Sequence, residues 1–397
     1  MLQVFANASA SGILDYDSKS REFVFNYTKD NPISLTMPYS TKSYTSHYHI
    51  HPIFDMSMPE GYLFELFKNL LIKEYGKIDD FILFSHLSRS IEGYLTYDKE
   101  DASEAFSFTL EEVLESKDEN LFTSLVNSFL NHSAIAGVQP KVLAQLEDKA
   151  TLASKEYIVK SFSQEYPHLA ENEYFCMKAL TYAGITTPKF WLSASKKLFV
   201  IEKFTYSKEE NRFYGFEEFC ALFKYNKEQK YYGSYEKIAK SIAQISTRKQ
   251  EDLQMFYKMM VMNYLLKNGD AHLKNFGVLY PADKKERFLA PAYDVVNTLV
   301  YLPHDKPALT LTGKKIWVDK ATLVSFAVTQ CMLSEKESLS LFDICIDATK
   351  QMAEEVEQYM SENPDFKRFG EKFLKVLHFS LTDNMHTSYK DAYDGIL

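Results

Sequence analysis

The order of patterned segments predicts an α+β protein with a small mixed N-terminal part and a mainly helical C-terminal half. Three observations carry this. The first 50 or so residues alternate and turn like short strands (GILDYDSKSREFVFNY, then SLTMPY), and about 60 to 90 reads as helices (EGYLFELFKNLLIKEYG). From about 106 a helical segment leads into a strand, polar turn, strand pattern, then a helix to Gly184 and a second hairpin ending in KKLFVIEKF. From about 205 to 397 the chain is mainly helical, interrupted by one hairpin. No internal repeat or low-complexity tract appears, so the expected division is 1–105, 106–204 and 205–397.

A chain of 397 residues that is 46% hydrophobic has material for sizeable cores. No apolar run reaches the about 20 residues needed to cross a bilayer. The start, MLQVFANASASG, lacks the pattern of a signal peptide, so the cytoplasm is the expected location and no membrane contact is expected. The four cysteines (Cys176, Cys220, Cys331, Cys345) are far apart and set among apolar residues, as reduced core thiols are. A net charge of −9 without a Lys/Arg cluster argues against a direct grip on nucleic acid.

In the N-terminal part, His47, His49 and His51 alternate in SHYHIHP, which would let three imidazoles share a strand face; a solvated loop is the favoured reading. In the middle part, EYIVKSF places Lys160 on the same strand face as Ile158 and Phe162, where an apolar side chain is expected. The helix ENEYFCMKALTYAG places Glu173 on one stripe with Cys176, Met177 and Leu180, so a carboxylate faces inward. Each charge is costly to bury alone, and a Lys160–Glu173 pair resolves both.

In the C-terminal part, DLQMFYKMMVMNYLLKNG sets Phe256, Met260 and Tyr264 beside Tyr257, Val261 and Leu265, which predicts a buried helix with Gly269 as its C-terminal stop. GDAHLKNFG then packs Asp270, His272, Lys274 and Asn275 into one short loop. If FGVLY and RFLAPAYD pair antiparallel, with DKKE (283–286) as a solvated turn, Tyr280 faces Arg287, Phe276 faces Pro291, and Asp294 returns beside 273–275. Carboxylate and amide oxygens from Asp270, Asn275 and Asp294 brought that close suit a hard cation such as Mg²⁺. The Asp270-x-x-x-x-Asn275 spacing is that of the protein-kinase catalytic loop, in which the Asp receives the substrate proton and the Asn holds a metal. Lys160 and Glu173 match the remaining kinase requirement, a strand lysine for nucleotide phosphates oriented by a helical glutamate.

Taken in order, SLTMP, AGVQPK, YIVK, NEYFCMKAL, VIEKF, NGDAHLKNFGVLY, LAPAYD and ALTLTGKK resemble the HipA family of bacterial toxin serine/threonine kinases over about residues 35 to 315. The resemblance implies a two-lobed protein-kinase-like fold with an added N-terminal subdomain, and ATP with Mg²⁺ as cofactors. It implies Asp270 as base, Asn275 and Asp294 as metal ligands, and Lys160 as the phosphate lysine, with His272 and Lys274 supporting the base and the transferring phosphate. Glu202, Lys203 and Phe204 match the hinge whose backbone meets adenine. No G-x-G-x-x-G occurs, so the phosphate cover falls to GVQPK, that is Gly137, Val138, Gln139 and Lys141. The serines whose autophosphorylation ejects this loop in the family are replaced by Ala134 and Ala136, leaving Ser133 nearby.

The implied activity is transfer of the γ-phosphate to a Ser/Thr of a cellular protein, with aminoacyl-tRNA synthetases among the candidates, causing growth arrest. A HipB-like DNA-binding antitoxin would be the partner, with DNA met only through it. Two rivals remain, a kinase-like phosphotransferase acting on a small molecule or lipid and a catalytically silent partner in an antitoxin–DNA complex.

Overall fold

A computed structural model of the chain describes residues 1–58, 78–88, 93–98, 108–116, 120–132, 150–161 and 165–382, together with 64, 67–69, 71–72, 76, 91 and 118. The chain gathers into two compact units. The first comprises Met1–Ala170, Lys189–Gln229 and Leu279–Lys284; the second comprises Glu171–Pro188, Lys230–Val278 and Lys285–Leu397.

The first unit opens with strands β1 (Leu2–Ala6), β2 (Ser9–Asp17), β3 (Glu22–Tyr27) and β4 (Tyr44–His47), joined by β5 (Leu95–Tyr97) in the order β4-β3-β2-β1-β5. Leu2, Val4, Leu14, Phe23 and Phe25 are buried, the period-two pattern of a sheet with one covered face. The strand ends at His47, which is exposed and lies 3.5 Å from Glu22, whereas His51 is buried. The three histidines therefore do not share one face. Burial pushes the pKa of His51 down to about 4, against a backbone hydrogen bond at Tyr44 that favours the charged form.

The second sheet of this unit contains β6 (Ala150–Ala153), β7 (Tyr157–Ser161), β8 (Phe190–Leu192) and β9 (Leu198–Glu202), all antiparallel in the order β6-β7-β9-β8. Both expected hairpins are present, the first turning at Ser154 to Glu156. A buried carboxylate ties SLTMP to the rest of the unit. Glu217 accepts from Ser34 Oγ (2.8 Å), the Leu35 N–H (2.6 Å) and Tyr280 Oη (2.7 Å). The Tyr280 ring fills the space beside Gly215, where a Cβ would lie 2.0 Å from a ring carbon.

The solvated turn expected at 283–286 needs one correction. Lys284 turns inward with φ +53 and donates to the Pro32 carbonyl (2.8 Å) and Tyr94 Oη (2.9 Å). Its aliphatic stem lets the charge reach a carbonyl at the unit's edge, while Asp283, Lys285 and Glu286 stay exposed.

The second unit is mainly helical. Its helices include α1 (Leu169–Tyr182, of which Glu171 onward belongs here), α2 (Tyr235–Ile245), α3 (Lys249–Leu265), α4 (Lys320–Gln330), α5 (Glu335–Glu362) and α6 (Lys367–Leu381). Helix α1 closes at Gly184, φ +63, with Ile185 N–H reaching the Leu180 carbonyl at 3.0 Å. The two expected rows of α3 are fully buried, which explains why its sequence carries so little polar contrast. The helix stops earlier than Gly269 suggests. Lys267 adopts the left-handed conformation (φ +56), and the Asn268 N–H returns to the Asn263 carbonyl (2.9 Å) in a Schellman arrangement. Gly269 serves a different need, since a Cβ there would lie 2.0 Å from Asp305 Oδ2 and 2.8 Å from Thr298 Oγ1. All four cysteines are buried free thiols. Among the described residues, no helix is long and apolar enough to cross a membrane.

Candidate active site

The polar loop after α3 is built by its own side chains. Leu273–Asn275 forms one 3₁₀ turn, and the Asn275 side chain caps it by accepting the His272 N–H through Oδ1 at 2.9 Å. Leu273 is fully buried and anchors the turn below. The neighbouring amide of Asn275 donates to the His272 carbonyl at 3.0 Å, so the asparagine is fixed through both backbone and side chain.

The returning hairpin takes the register that the sequence pattern suggests. Ala290 N–H donates to the Gly277 carbonyl at 2.9 Å, the contact expected when Phe276 faces Pro291. Asp294 comes back beside the loop, and Asn275 Nδ2 donates to Asp294 Oδ2 at 2.9 Å. Asp294 holds φ +57, a left-handed conformation that costs a non-glycine residue about 1–2 kcal/mol and is met mostly where surroundings enforce it.

Those surroundings are a set of buried polar ties. Tyr293 Oη donates to the Lys274 carbonyl at 2.5 Å. Asn172, one residue before Glu173 on α1, pairs with Asn297 through two bonds, Nδ2 to the Asn297 carbonyl (2.9 Å) and Asn297 N–H to Oδ1 (2.8 Å). Thr298 Oγ1 accepts from the Gly269 N–H (2.9 Å) and donates to the Lys267 carbonyl (3.1 Å). Lys267 is only 3% exposed, its ammonium lies 4.9 Å from the centre of the Trp317 ring, and burial pushes its pKa down to about 7. The sequence reading missed Tyr231, Asn172, Tyr293, Asn297, Thr298 and Lys267. Lys267, at the end of the apolar run MMVMNYLL, offered a visible signal; the others carry no local pattern.

Asp270 stands at the open side of the loop, its side chain 41% exposed. Its Oδ1 accepts from Tyr231 Oη at 3.0 Å and lies 3.9 Å from His272 Nε2. The Tyr231 and His272 rings meet edge to face at 5.3 Å. Asn275 and Asp294 are thus brought into contact, and Asp270 is held next to His272.

The other expected site residues fall as follows. Lys160 lies on β7, buried, with its ammonium 5.8 Å from the centre of the Phe199 ring. Glu173 lies on α1, fully buried, with Cys176, Met177 and Leu180 on its stripe buried as well. At the expected hinge, the Glu202 N–H donates to the Lys189 carbonyl (2.8 Å) and the Lys203 N–H to the Glu156 carbonyl (2.7 Å). Two of the amides expected to face adenine are therefore already engaged. Phe204 packs edge to face with Phe216 at 5.2 Å. Gly137, Val138, Gln139 and Lys141, with Ser133, Ala134 and Ala136, lie outside the described residues.

The donor set suits Mg²⁺. A cavity of about 10 Å³ is lined by Asn263, Asn268, Asn275 and Asp294 among others, with room for about one water-sized group. The Asp294 carboxylate is a hard ligand of the kind Mg²⁺ uses when phosphates and waters complete its shell, and the Asn275 amide oxygen, which accepts the His272 N–H, keeps a second lone pair for it. Among the described residues there is no group of three or more His, Cys, Asp or Glu able to hold a metal.

Comparison with known proteins bears on the family and the fold. The family model of the HipA-like C-terminal domain matches residues 133–362, and that of the HipA N-terminal domain matches residues 2–98. A Haemophilus influenzae protein is 31% identical over 184 residues, which is 42% of this chain and 53% of that protein, so the match spans about half of the relative's length. A Sinorhizobium fredii protein is 27% identical over 338 residues, covering 78% of this chain and 74% of its own. Both carry the name "Putative kinase". Among solved structures, that of Shewanella oneidensis HipA with HipB and operator DNA superposes with a TM-score of 0.69 over 99% of each chain. At 17% identity this likeness is one of fold, and the expected α+β, kinase-like class with an added N-terminal part stands.

Proposed function

Because the chain belongs to the HipA family, we propose that it is an ATP-dependent protein kinase that phosphorylates a serine or threonine hydroxyl of a cellular protein. The Asn275–Asp294 contact, in the loop that also carries Asp270, supports this reading. The segment after the returning strand brings a carboxylate to within 2.9 Å of the asparagine five residues after the base, the pair of residues a phosphoryl-transfer site uses for its metal. The division into 1–105, 106–204 and 205–397 is read as N-terminal subdomain, nucleotide-binding part and catalytic part.

Asp270 accepts the proton of the acceptor hydroxyl as that oxygen bonds to the γ-phosphorus and the bond to the β-phosphate oxygen breaks. Lys274 and Lys160 are read as cations for the phosphates, and Glu173 as the carboxylate that orients Lys160. His272 supports Asp270 through its imidazole, 3.9 Å away. Asn275 and Asp294 would hold Mg²⁺, which when bound neutralises charge on the phosphate oxygens. Glu202, Lys203 and Phe204 are read as the adenine edge, with recognition falling on groups other than the Glu202 and Lys203 amides. Gly137, Val138, Gln139 and Lys141 are proposed to cover the phosphates.

A translation component, an aminoacyl-tRNA synthetase among the candidates, is proposed as the substrate class, with growth arrest as the consequence. A HipB-like antitoxin is proposed as partner, supported by the assembly described for the Shewanella oneidensis protein. Incubating the purified chain with γ-labelled ATP and either a cell protein extract or a metabolite extract tests the acceptor class. Label on serine or threonine of protein is expected, and label confined to metabolites would replace the reading with that of a small-molecule phosphotransferase.

A further inference from the structure

Building on the kinase reading, we propose that Tyr231 selects the acceptor. Its hydroxyl holds Asp270 Oδ1, the oxygen this proposal assigns to the incoming substrate hydroxyl, so only an acceptor that brings binding energy of its own displaces it. Tyr231 Oη donates to Asp270 Oδ1 at 3.0 Å, within the range in which a base meets the hydroxyl it deprotonates. His272 Nε2 faces the same oxygen at 3.9 Å, which crowds that side of the carboxylate further.

The backbone of the tyrosine is pinned while its phenol is not enclosed. Leu273 N–H donates to the Lys230 carbonyl (3.0 Å), Lys315 Nζ to the Tyr231 carbonyl (3.0 Å), and Thr310 N–H to the Gly233 carbonyl (3.1 Å). The Tyr231 residue is 39% exposed and the Asp270 side chain 41%. Rotating two side-chain torsions would move the phenol away without disturbing the backbone. Tyr280 provides the contrast, for it is buried and its hydroxyl meets a carboxylate that also accepts two other donors.

The consequence is discrimination between a protein hydroxyl and water. Water gains little from displacing the phenol, because it has no other contacts to offset the lost bond. A protein hydroxyl held by its flanking residues does have them. The tyrosine therefore suppresses wasteful hydrolysis of ATP while leaving transfer to a docked protein open.

The test compares the full-length chain with Tyr231→Phe, which keeps the ring and its contact with His272 but removes the donor. With Mg·ATP and no protein acceptor, ADP release should rise roughly 3- to 10-fold, the size of a half-exposed hydrogen bond to a charged group. ATP affinity by calorimetry should be unchanged, and with casein as the probe acceptor KM should fall more than kcat changes. Unchanged or lower ADP release with ATP binding intact would overturn the inference and leave the kinase reading standing. A rise seen in Tyr231→Leu and absent in Tyr231→Phe would also overturn it, since ring packing would then be the cause. Absence of Mg·ATP binding in the parent chain would remove the kinase reading and the inference with it.

Discussion

Two carboxylates, Glu217 in the first unit and Asp270 in the second, look alike in sequence and have opposite surroundings. Glu217 is fully buried and accepts from three donors, and burial raises its pKa above the ordinary carboxylate range. Asp270 is half-exposed and carries a bond to a tyrosine that is itself partly exposed. A saturated, buried carboxylate has nothing left to offer a ligand and serves as a tie between segments. One that faces solvent through a displaceable donor can exchange that donor for a substrate.

The largest expected effect lies on the reactive side of this comparison. Asp270→Asn keeps the shape but removes the base and a charge, and phosphoryl transfer should fall roughly 10²-fold or more while the thermal transition stays where it was. Transfer at the parent rate would remove Asp270 from its role. On the structural side the pattern inverts. Glu217→Ala strands the Ser34 and Tyr280 hydroxyls and the Leu35 amide, and should cost about 2–4 kcal/mol in denaturant unfolding. A loss below about 1 kcal/mol would show that the three donors are satisfied in another way.

Asn172→Ala probes the link between α1 and the loop that carries Asp294. It removes both buried hydrogen bonds to Asn297 and the weaker one from the Cys176 thiol, and should cost about 2 kcal/mol, with a drop in ATP affinity as Asp294 loses its support. Full stability with weakened nucleotide binding would mean that the pair positions without stabilising.

The effect that is smallest per step is read from pH. Lys267 has its pKa pushed down to about 7 by burial, so between pH 7 and about 10 the unfolded chain binds the proton and the folded chain does not. Stability from this group therefore rises with pH across that window, by at most about 1.4 kcal/mol per pH unit. Lys267→Met should flatten the rise. An unchanged slope in that variant would assign it to other groups.

Much of this was legible before any coordinates. Helix α3 announced itself because its two apolar rows are buried together, and the hairpin register followed from residue spacing alone, which is why Asp294 could be expected beside Asn275. What the sequence could not reveal were ties between distant segments. Asn172 and Asn297 carry no local pattern, since each partner is satisfied only by the fold. Tyr231 read as one of 27 tyrosines, and its importance lies in where its hydroxyl points. Gly269 misled for a related reason. Helix-stop chemistry is local, yet this glycine is required by the approach of Asp305 and Thr298, while Lys267 takes the strained backbone position.

The central claim is that Asn275 and Asp294 form the metal edge of a nucleotide site served by Asp270. Calorimetric titration of ATP into the parent chain and Asp294→Ala, each with Mg²⁺ and with a chelator, tests it most directly. The parent should bind ATP at least about 10-fold more tightly with Mg²⁺, as expected when a carboxylate shares the ion with phosphate oxygens. In Asp294→Ala that advantage should disappear while metal-free binding persists. Equal losses with and without Mg²⁺, or no binding of Mg·ATP by the parent chain, would contradict the account.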